Sequence, residues 1–332
     1  MKQRQLGKNG PMVSAIGYGA MSFSDFYGPT TEAASHAILD DCRDLGVTHL
    51  DTSNIYGLGR SEQWIGSYFA KDKAAKSAFS IATKAAITKD ADGNRQFRND
   101  RAHLEGELDK SLARMGVDHV DLFYVHRRDD AVPIEDVTQT LVDIVATGKA
   151  RAFGFSEIAP SSLRRANTVA HVAAVQSEYS LQSRFCEMGL VQTCAELGTA
   201  LVAFSPVGRS LLTDAPVTHA ALKNLPFLAS NPRFIEPNFS ANIAATDRFR
   251  MLAAEMDVPA AALTNAWLLA QGDHIIPIPG TRSVVHLRDC MRGADLVLTQ
   301  DDLARIETVL PIGWAHGDRY SADQWIGPER YC

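Results

Sequence analysis

The sequence predicts an α/β protein built as a closed (β/α)8 barrel of the TIM type, with an N-terminal hairpin before it and an aromatic C-terminal tail after it. Three observations carry this reading. Short apolar runs alternate eight times with longer stretches of helical period, which implies parallel strands joined by right-handed crossovers. The 332 residues exceed the ~100–200 of an average domain but suit an undivided barrel, so 1–332 is read as one domain. An open doubly wound sheet would announce a nucleotide site with G-x-G-x-x-G, whereas the first strand here ends Gly17-Tyr18-Gly19-Ala20-Met21-Ser22.

The elements follow in order. Arg4 to Leu6 and Met12 to Val13 flank a turn holding Gly7, Asn9, Gly10 and Pro11, which predicts the opening hairpin. Strands are expected at Ser14–Gly19, Thr48–Asp51, Phe79–Thr83, Val120–His126, Lys149–Ser156, Ala174–Ser177, Ala200–Ser205 and Ile275–Pro279. Helices are expected near Thr31–Leu45, Ser61–Phe69, Asp100–Met115, Ile134–Thr147, Ser161–Val169 and Glu187–Leu197. Gly46, Gly116, Gly148 and Gly198 sit where helices stop and strands begin, as C′ glycines do. A long insertion separates the last two strands: a Pro- and Asn-rich loop from Asn231 to Phe239, then two helical stretches.

Composition excludes several functions. Lys and Arg number 33 against 39 Asp and Glu, a net charge of −6, so no basic face for nucleic acid is expected. The longest apolar runs fall far short of the ~20 residues that span a bilayer, and Met1 to Gln5 carry no apolar leader. Cys42, Cys186, Cys194, Cys290 and Cys332 are odd in number and scattered, which suits a reducing cytoplasm and neither a disulfide frame nor structural zinc.

Barrel chemistry gathers at the C-terminal ends of the strands. Asp51, Lys84 and His126 terminate three successive barrel strands, with Tyr56 in the loop after the first of them. Charge at the end of a buried strand is costly unless paired. A phenol near pKa ~10 is a poor acid at neutral pH, and a neighbouring ammonium lowers it. Lys84 supplies that charge, Asp51 holds the lysine and His126 orients a substrate oxygen. The set describes a proton donor facing a polarised carbonyl, so the hydride must come from a bound cofactor.

The segments Asp51-Thr52-Ser53-Asn54-Ile55-Tyr56-Gly57, Thr83-Lys84, Leu122-Phe123-Tyr124-Val125-His126, Gly154-Phe155-Ser156-Glu157, Gln176-Ser177-Glu178-Tyr179-Ser180 and Pro277-Ile278-Pro279-Gly280-Thr281, in this order, resemble the aldo-keto reductase superfamily along nearly the whole chain. The resemblance implies a barrel that uses NADP(H), with NAD(H) the weaker choice, to interconvert aldehydes or ketones and alcohols. By position it makes Asp51, Tyr56, Lys84 and His126 the catalytic tetrad. Ser156 and Gln176 match the nicotinamide carboxamide partners, and Phe204 the stacking ring. Ser205, Pro206, Gly208, Arg209 and Leu211, then Gly280, Thr281 and Arg282, resemble the phosphate segments, with Arg288 and Asp289 on the helix behind. Met21 is placed with the cofactor residues and, with Phe23, Phe26, Trp64 and Arg127, on the pocket wall.

The sequence departs from the family at His286 and Cys290, which replace a basic residue and an asparagine, so Arg282 or Arg288 is left to meet a 2′-phosphate. Glu157 stands where many members have Asn. The loop from Pro232 to Phe239 is expected either over the cofactor or simply on the surface. Trp314, Tyr320, Trp325 and Tyr331 are expected to close the pocket, or to pack under the barrel or against another subunit. Two other functions share this fold: a cofactor-binding regulatory subunit, and a Schiff-base lyase with Lys84 as nucleophile.

Overall fold

The computed structural model describes residues 1–331; Cys332 lies outside the described residues. The hairpin forms from β1 (Gln3–Gln5) and β2 (Met12–Ser14), with Arg4 opposite Val13. The barrel strands are β3 (Tyr18–Gly19), β4 (His49–Asp51), β5 (Ser80–Ala85), β8 (Val120–Val125), β9 (Ala150–Ser156), β10 (Ala174–Glu178), β11 (Ala200–Phe204) and β12 (Ile275–Pro277). They pair in parallel in that order. The ring closes where the Gly17 amide donates to Pro277 at 2.9 Å and Gly19 to Pro279 at 3.1 Å.

Helices alternate with the strands: α1 (Glu32–Asp44), α2 (Arg60–Lys71), α3 (Arg101–Met115), α4 (Ile134–Ala146), α5 (Pro160–Val169) and α6 (Leu190–Leu197). Their starts are set by side chains: Thr31 caps α1 and Asp100 caps α3, each accepting an amide of the first turn. α3 buries Leu104, Leu108, Leu112 and Met115, one stripe at helical spacing. The four glycines expected at helix ends all have positive φ, between 64° and 81°.

Two regions extend the expected plan. A second hairpin, β6 (Ile87–Lys89) and β7 (Arg95–Phe97), rises from the end of β5. In the insertion between β11 and β12 the two helical stretches expected after the Asn231–Phe239 loop are α9 (Asn238–Glu255) and α10 (Ala260–Ala270), and two short helices, α7 (His219–Leu222) and α8 (Pro226–Ala229), precede that loop. α11 (Val284–Met291) and α12 (Gln300–Val309) follow the last strand. No helix among the described residues is long and apolar enough to cross a membrane.

Strand parity decides what reaches the barrel interior. Ala82, Leu122, Tyr124, Ala174, Val202, Ile276 and Ile278 form the inner cluster, plugged at the bottom by Leu6 and Val13 of the hairpin. The alternate residues, including Leu50, Ile81, Phe123, Val125, Phe155, Val175 and Leu201, pack outward under the helices. Asp51, Lys84, Ser156 and Gln176 share the inward parity, so they face the mouth of the barrel rather than the helix layer.

The seam needs residues without a Cβ. A Cβ on Gly280 would stand 2.4 Å from the Gly19 carbonyl oxygen, and one on Gly19 would stand 2.8 Å from that of Ile278. Gly280→Ala is therefore expected to lower stability by about 1–3 kcal/mol, as overpacking does. Gly106→Ala on α3, where a Cβ meets nothing within 4 Å, is expected to raise it by about 0.5–1 kcal/mol. Urea titrations of both variants decide; an unchanged midpoint for Gly280→Ala would contradict the tight seam.

Candidate active site

The mouth of the barrel is built around one buried ion pair. Lys84 at the end of β5 is fully buried, and Asp51 at the end of β4 is 2 % exposed. Lys84 Nζ donates to Asp51 Oδ1 at 2.5 Å, to the Thr52 carbonyl at 2.7 Å and toward the Tyr56 hydroxyl at 3.3 Å. Gln176 Nε2 donates to the other oxygen of Asp51 at 2.8 Å, so each carboxylate oxygen has its own donor. The Tyr56 and His126 rings meet edge to face with centroids 5.9 Å apart, and His126 Nδ1 shares a hydrogen with the Ser53 hydroxyl at 3.1 Å. The four residues expected to work together are thus gathered at one point.

Their charges are set by burial and by each other. Burial pulls the Lys84 ammonium toward neutrality, but Asp51 and the Tyr56 phenol outweigh it, and the pKa ends above the ordinary value. Burial pushes the Tyr56 phenol upward; Lys84 opposes this as expected, yet does not overcome burial and the nearby Asp51 carboxylate. The expected lowering of that phenol is therefore corrected: it stays protonated. His126 is held well below the usual imidazole value, first by burial and then by the cations Arg127, Lys84 and Arg95, so its ring is neutral.

A cavity of about 1400 Å³ runs from this cluster to the start of α11. Ordinary small-molecule pockets measure roughly 300–1,000 Å³, so there is room for a dinucleotide and a small substrate. Met21, Ser156, Gln176, Phe204, Ser205, Pro206, Arg209, Gly280, Thr281, Arg282 and Asp289 line it. His286 and Cys290 line it as well. At its far end the backbone amides that open α11, capped by Ser283, stand beside Arg282. This donor set fits a phosphate. The segment along the middle is conformationally unusual, with left-handed φ at Ser205, Gly208, Arg209 and Ser210.

Other expected residues lie elsewhere. Gly208 sits under the wall, and the Leu211 side chain is buried in the insertion's own cluster with Phe234 and Phe239. Arg288 turns away to clasp Asp41 of α1, with Nη2 to Oδ1 at 2.5 Å, because that carboxylate is its nearest counter-charge. Of the expected wall residues, Phe26 and Arg127 reach the cavity, whereas Phe23 packs on Tyr18 and Trp64 lies under Arg60. Phe26 meets Phe227 of α8 at 4.6 Å between centroids, so the insertion touches the loop after β3 above the cavity.

A second ionic cluster lies beside the first, and sequence reasoning missed it. Glu157, with φ of 61° after β9, accepts from the Ser177 hydroxyl at 2.9 Å and from the Glu178 amide at 2.8 Å. Its other oxygen accepts from Arg319 of the tail at 2.5 Å. Glu178 accepts from Arg209 at 2.7 Å, with Arg233 at 3.4 Å. Burial opposes ionisation of Glu157, but Arg319 and Arg127 more than offset it, so its carboxyl lies below the usual range. Arg319 is 3 % exposed and packs against Phe185, Tyr320 and Trp325. The tail therefore lies across the mouth, and its Tyr320 lines the cavity.

These features define a (β/α)8 barrel with a buried phenol, ammonium, carboxylate and imidazole at one end of a dinucleotide-sized cavity. A family model described as the Aldo/keto reductase family matches residues 15–311. The chain belongs to the aldo/keto reductase family. It is 35% identical over 321 residues to a Schizosaccharomyces pombe protein named aldo-keto reductase yakc, NADP(+), covering 96% of this chain and 94% of that one. It is 32% identical over 317 residues to a Glycine max protein named probable aldo-keto reductase 1, covering 95% and 91%. A glycerol dehydrogenase structure from Gluconobacter oxydans shares the fold, with a TM-score of 0.80 at 24% identity over 93% of this chain and 94% of that one.

Removing Arg319 leaves two buried carboxylates short of a cation, a loss that typically costs about 3–5 kcal/mol. Arg319→Met is expected to melt earlier and to lose its tail to limited proteolysis before the barrel is cut. Equal protease resistance in variant and parent would show that the cluster does not hold the tail.

Proposed function

We propose that this chain is an NADP(H)-dependent aldo-keto reductase that reversibly reduces a small aldehyde or ketone to an alcohol, with Tyr56 as the proton donor. The observation that carries the reading is the Tyr56 hydroxyl standing 3.3 Å from a fully buried Lys84 ammonium. A reduced nicotinamide, when bound, supplies the hydride. A carbonyl oxygen seated between Tyr56 and the neutral His126 ring would be oriented by the imidazole, leaving the phenol to give up its proton as negative charge develops there. Lys84 stabilises the phenolate left behind, and Asp51 keeps Lys84 charged through the cycle. In the reverse direction the same phenolate takes the alcohol proton.

Ser156 and Gln176 have hydrogen-bonding side chains on the cavity wall suited to an amide, and Phe204 on the same wall offers an aromatic face to a ring. The yeast relative's name supports the choice of NADP(H). Since Arg288 is engaged by Asp41, Arg282 is the remaining expected arginine for a 2′-phosphate. Residues from Asp51 to Arg282 serve one site, which supports treating 1–332 as one functional barrel. A cytoplasmic setting belongs to the same proposal, supported by four buried free thiols. The held ammonium of Lys84 disfavours the Schiff-base alternative, which requires a free amine.

Tyr56→Phe is expected to lower carbonyl reduction by about 10²–10⁴-fold while NADPH still binds, as read by cofactor fluorescence. In the parent enzyme no acid limb is expected near 6.5, the ordinary histidine value, because His126 stays neutral. Reduction should decline only at alkaline pH, where the phenol loses its proton. Undiminished turnover by Tyr56→Phe would refute the assignment, and binding without turnover on any carbonyl by the parent would favour the regulatory-subunit reading.

A charged hydrogen bond is worth about 1.5–3 kcal/mol, roughly 10–150-fold in affinity. Arg282→Ala is expected to weaken NADP+ binding within that range and to leave NAD+ binding as it was. Equal losses for both cofactors in a fluorescence titration would remove Arg282 from the 2′-phosphate.

A further inference from the structure

The wall beyond His126 carries cationic hydrogen-bonding capacity that the reading above does not use. Arg127, 8 % exposed, spends one end of its guanidinium on neighbours: Nη1 donates to the His126 carbonyl at 2.6 Å and to the Ser156 hydroxyl at 2.9 Å. Its Nε is buried and has no partner. A buried donor in that state is costly, and Arg127 as a whole lines the cavity. Facing the same cavity is Arg95, raised on the hairpin β6–β7 with its guanidinium 5.2 Å from the Phe97 ring. The sequence neighbours Arg98 and Arg128 are paired with Asp100 and Glu329. Arg95 and Arg127 form no ion pair with any described carboxylate.

The packing holds Arg127 in place, while Arg95 stands exposed on the hairpin beside it. The tail glycine Gly327 closes over both supports: a Cβ there would meet Phe97 Cζ at 2.6 Å and Arg127 Cγ at 3.2 Å. The two guanidiniums also feel one another, since Arg95 is held below its ordinary value first by burial and then by Arg127. The nearby carboxylate of Asp51 is already spent on Lys84 and Gln176. Glu157, whose charge Arg127 also favours, is spent on Arg319, and Asp323 of the tail lines the cavity without an ion pair to either arginine.

We propose that this end of the cavity is an anion site and that the substrates it selects are oxo acids: aldehydes or ketones carrying a carboxylate close to the reacting carbonyl, held by Arg127 and Arg95. The inference rests on the reductase reading for the reaction itself. The carboxylate takes no part in the redox step. The carbonyl carbon gains the hydride and its oxygen gains the Tyr56 proton, so the product is the corresponding hydroxy acid. Planar guanidinium donors match a carboxylate in geometry as well as charge.

The test compares 2-, 3- and 4-carboxybenzaldehyde with their methyl esters, using the full chain and NADPH. At least one acid is expected to exceed its ester about tenfold in kcat/KM, and Arg95→Gln to lower that acid-to-ester ratio by about the same factor, mainly through KM. Arg127→Lys, which keeps the charge but loses the fork, should lower it too. A second readout needs no turnover: benzoate, but not methyl benzoate, should quench tryptophan fluorescence of the parent, and Arg95→Gln or added salt should weaken this. Acids that perform no better than esters, together with equal responses to benzoate and its ester, would overturn the proposal. If no aldehyde is reduced at all, the reductase reading fails, and the benzoate titration alone upholds or overturns the anion site.

Discussion

The structure depends on keeping an ammonium and a carboxylate charged where water does not reach them. Lys84 and Asp51 are both buried, and an isolated ion in such a place would neutralise instead. Here the ammonium and both carboxylate oxygens have local hydrogen-bonding partners. The ammonium reaches a carboxylate, a carbonyl and a phenol, and the carboxylate takes a second donor from Gln176. Replacing such a pair with apolar groups of the same shape is often neutral for stability. Its presence at the mouth of a barrel is thus better understood as chemistry than as adhesive. Strand parity makes the arrangement possible, since Asp51 of β4, Lys84 of β5 and Gln176 of β10 all face inward toward the mouth.

The second cluster solves a different problem with similar means. Glu157 and Glu178 lie at the ends of β9 and β10, and three arginines from three separate segments converge on them. Arg209 comes from the segment after β11, Arg233 from the insertion and Arg319 from the tail. Tied to fixed strand ends, these segments enclose the cavity. The Glu157 position, where the sequence departs from the common asparagine of its family, is therefore where the tail is fastened.

Much of this was legible in the sequence, for reasons that can be named. The barrel follows from an alternation that any βα repeat displays, and three of the four polar residues stand at strand ends where burial would otherwise penalise them, with Tyr56 in the loop after the first. The helix stops follow from glycines that must take positive φ. What escaped was non-local. Nothing in Arg319 signals a carboxylate that lies 162 residues away in the chain, and Arg288 could not be seen to have a nearer partner in Asp41. The hairpin β6–β7 is a different failure. Asp90-Ala91-Asp92-Gly93-Asn94 is a turn signal between two short strand-forming runs, and Gly93 does adopt a left-handed φ of 86°. That signal was present and would have placed Arg95 at the mouth of the barrel.

Net charge gains meaning once positions are known. The chain carries −6 overall, yet the described groups around the mouth sum in the opposite direction. Three arginines face two glutamates in the tail cluster, Lys84 balances Asp51, and Arg127 with Arg95 and Arg282 stand along the cavity with Asp214, Asp289 and Asp323 spread among them. Long-range attraction is screened within about 8–10 Å at ordinary ionic strength, so a distant acidic surface does not cancel this local field. The same cations that hold His126 neutral would also draw anions into the cavity. On the proposed reading, protonation at the reacting centre and selection of a charged ligand would be two consequences of one charge distribution, and a change at Arg127 would be felt in both.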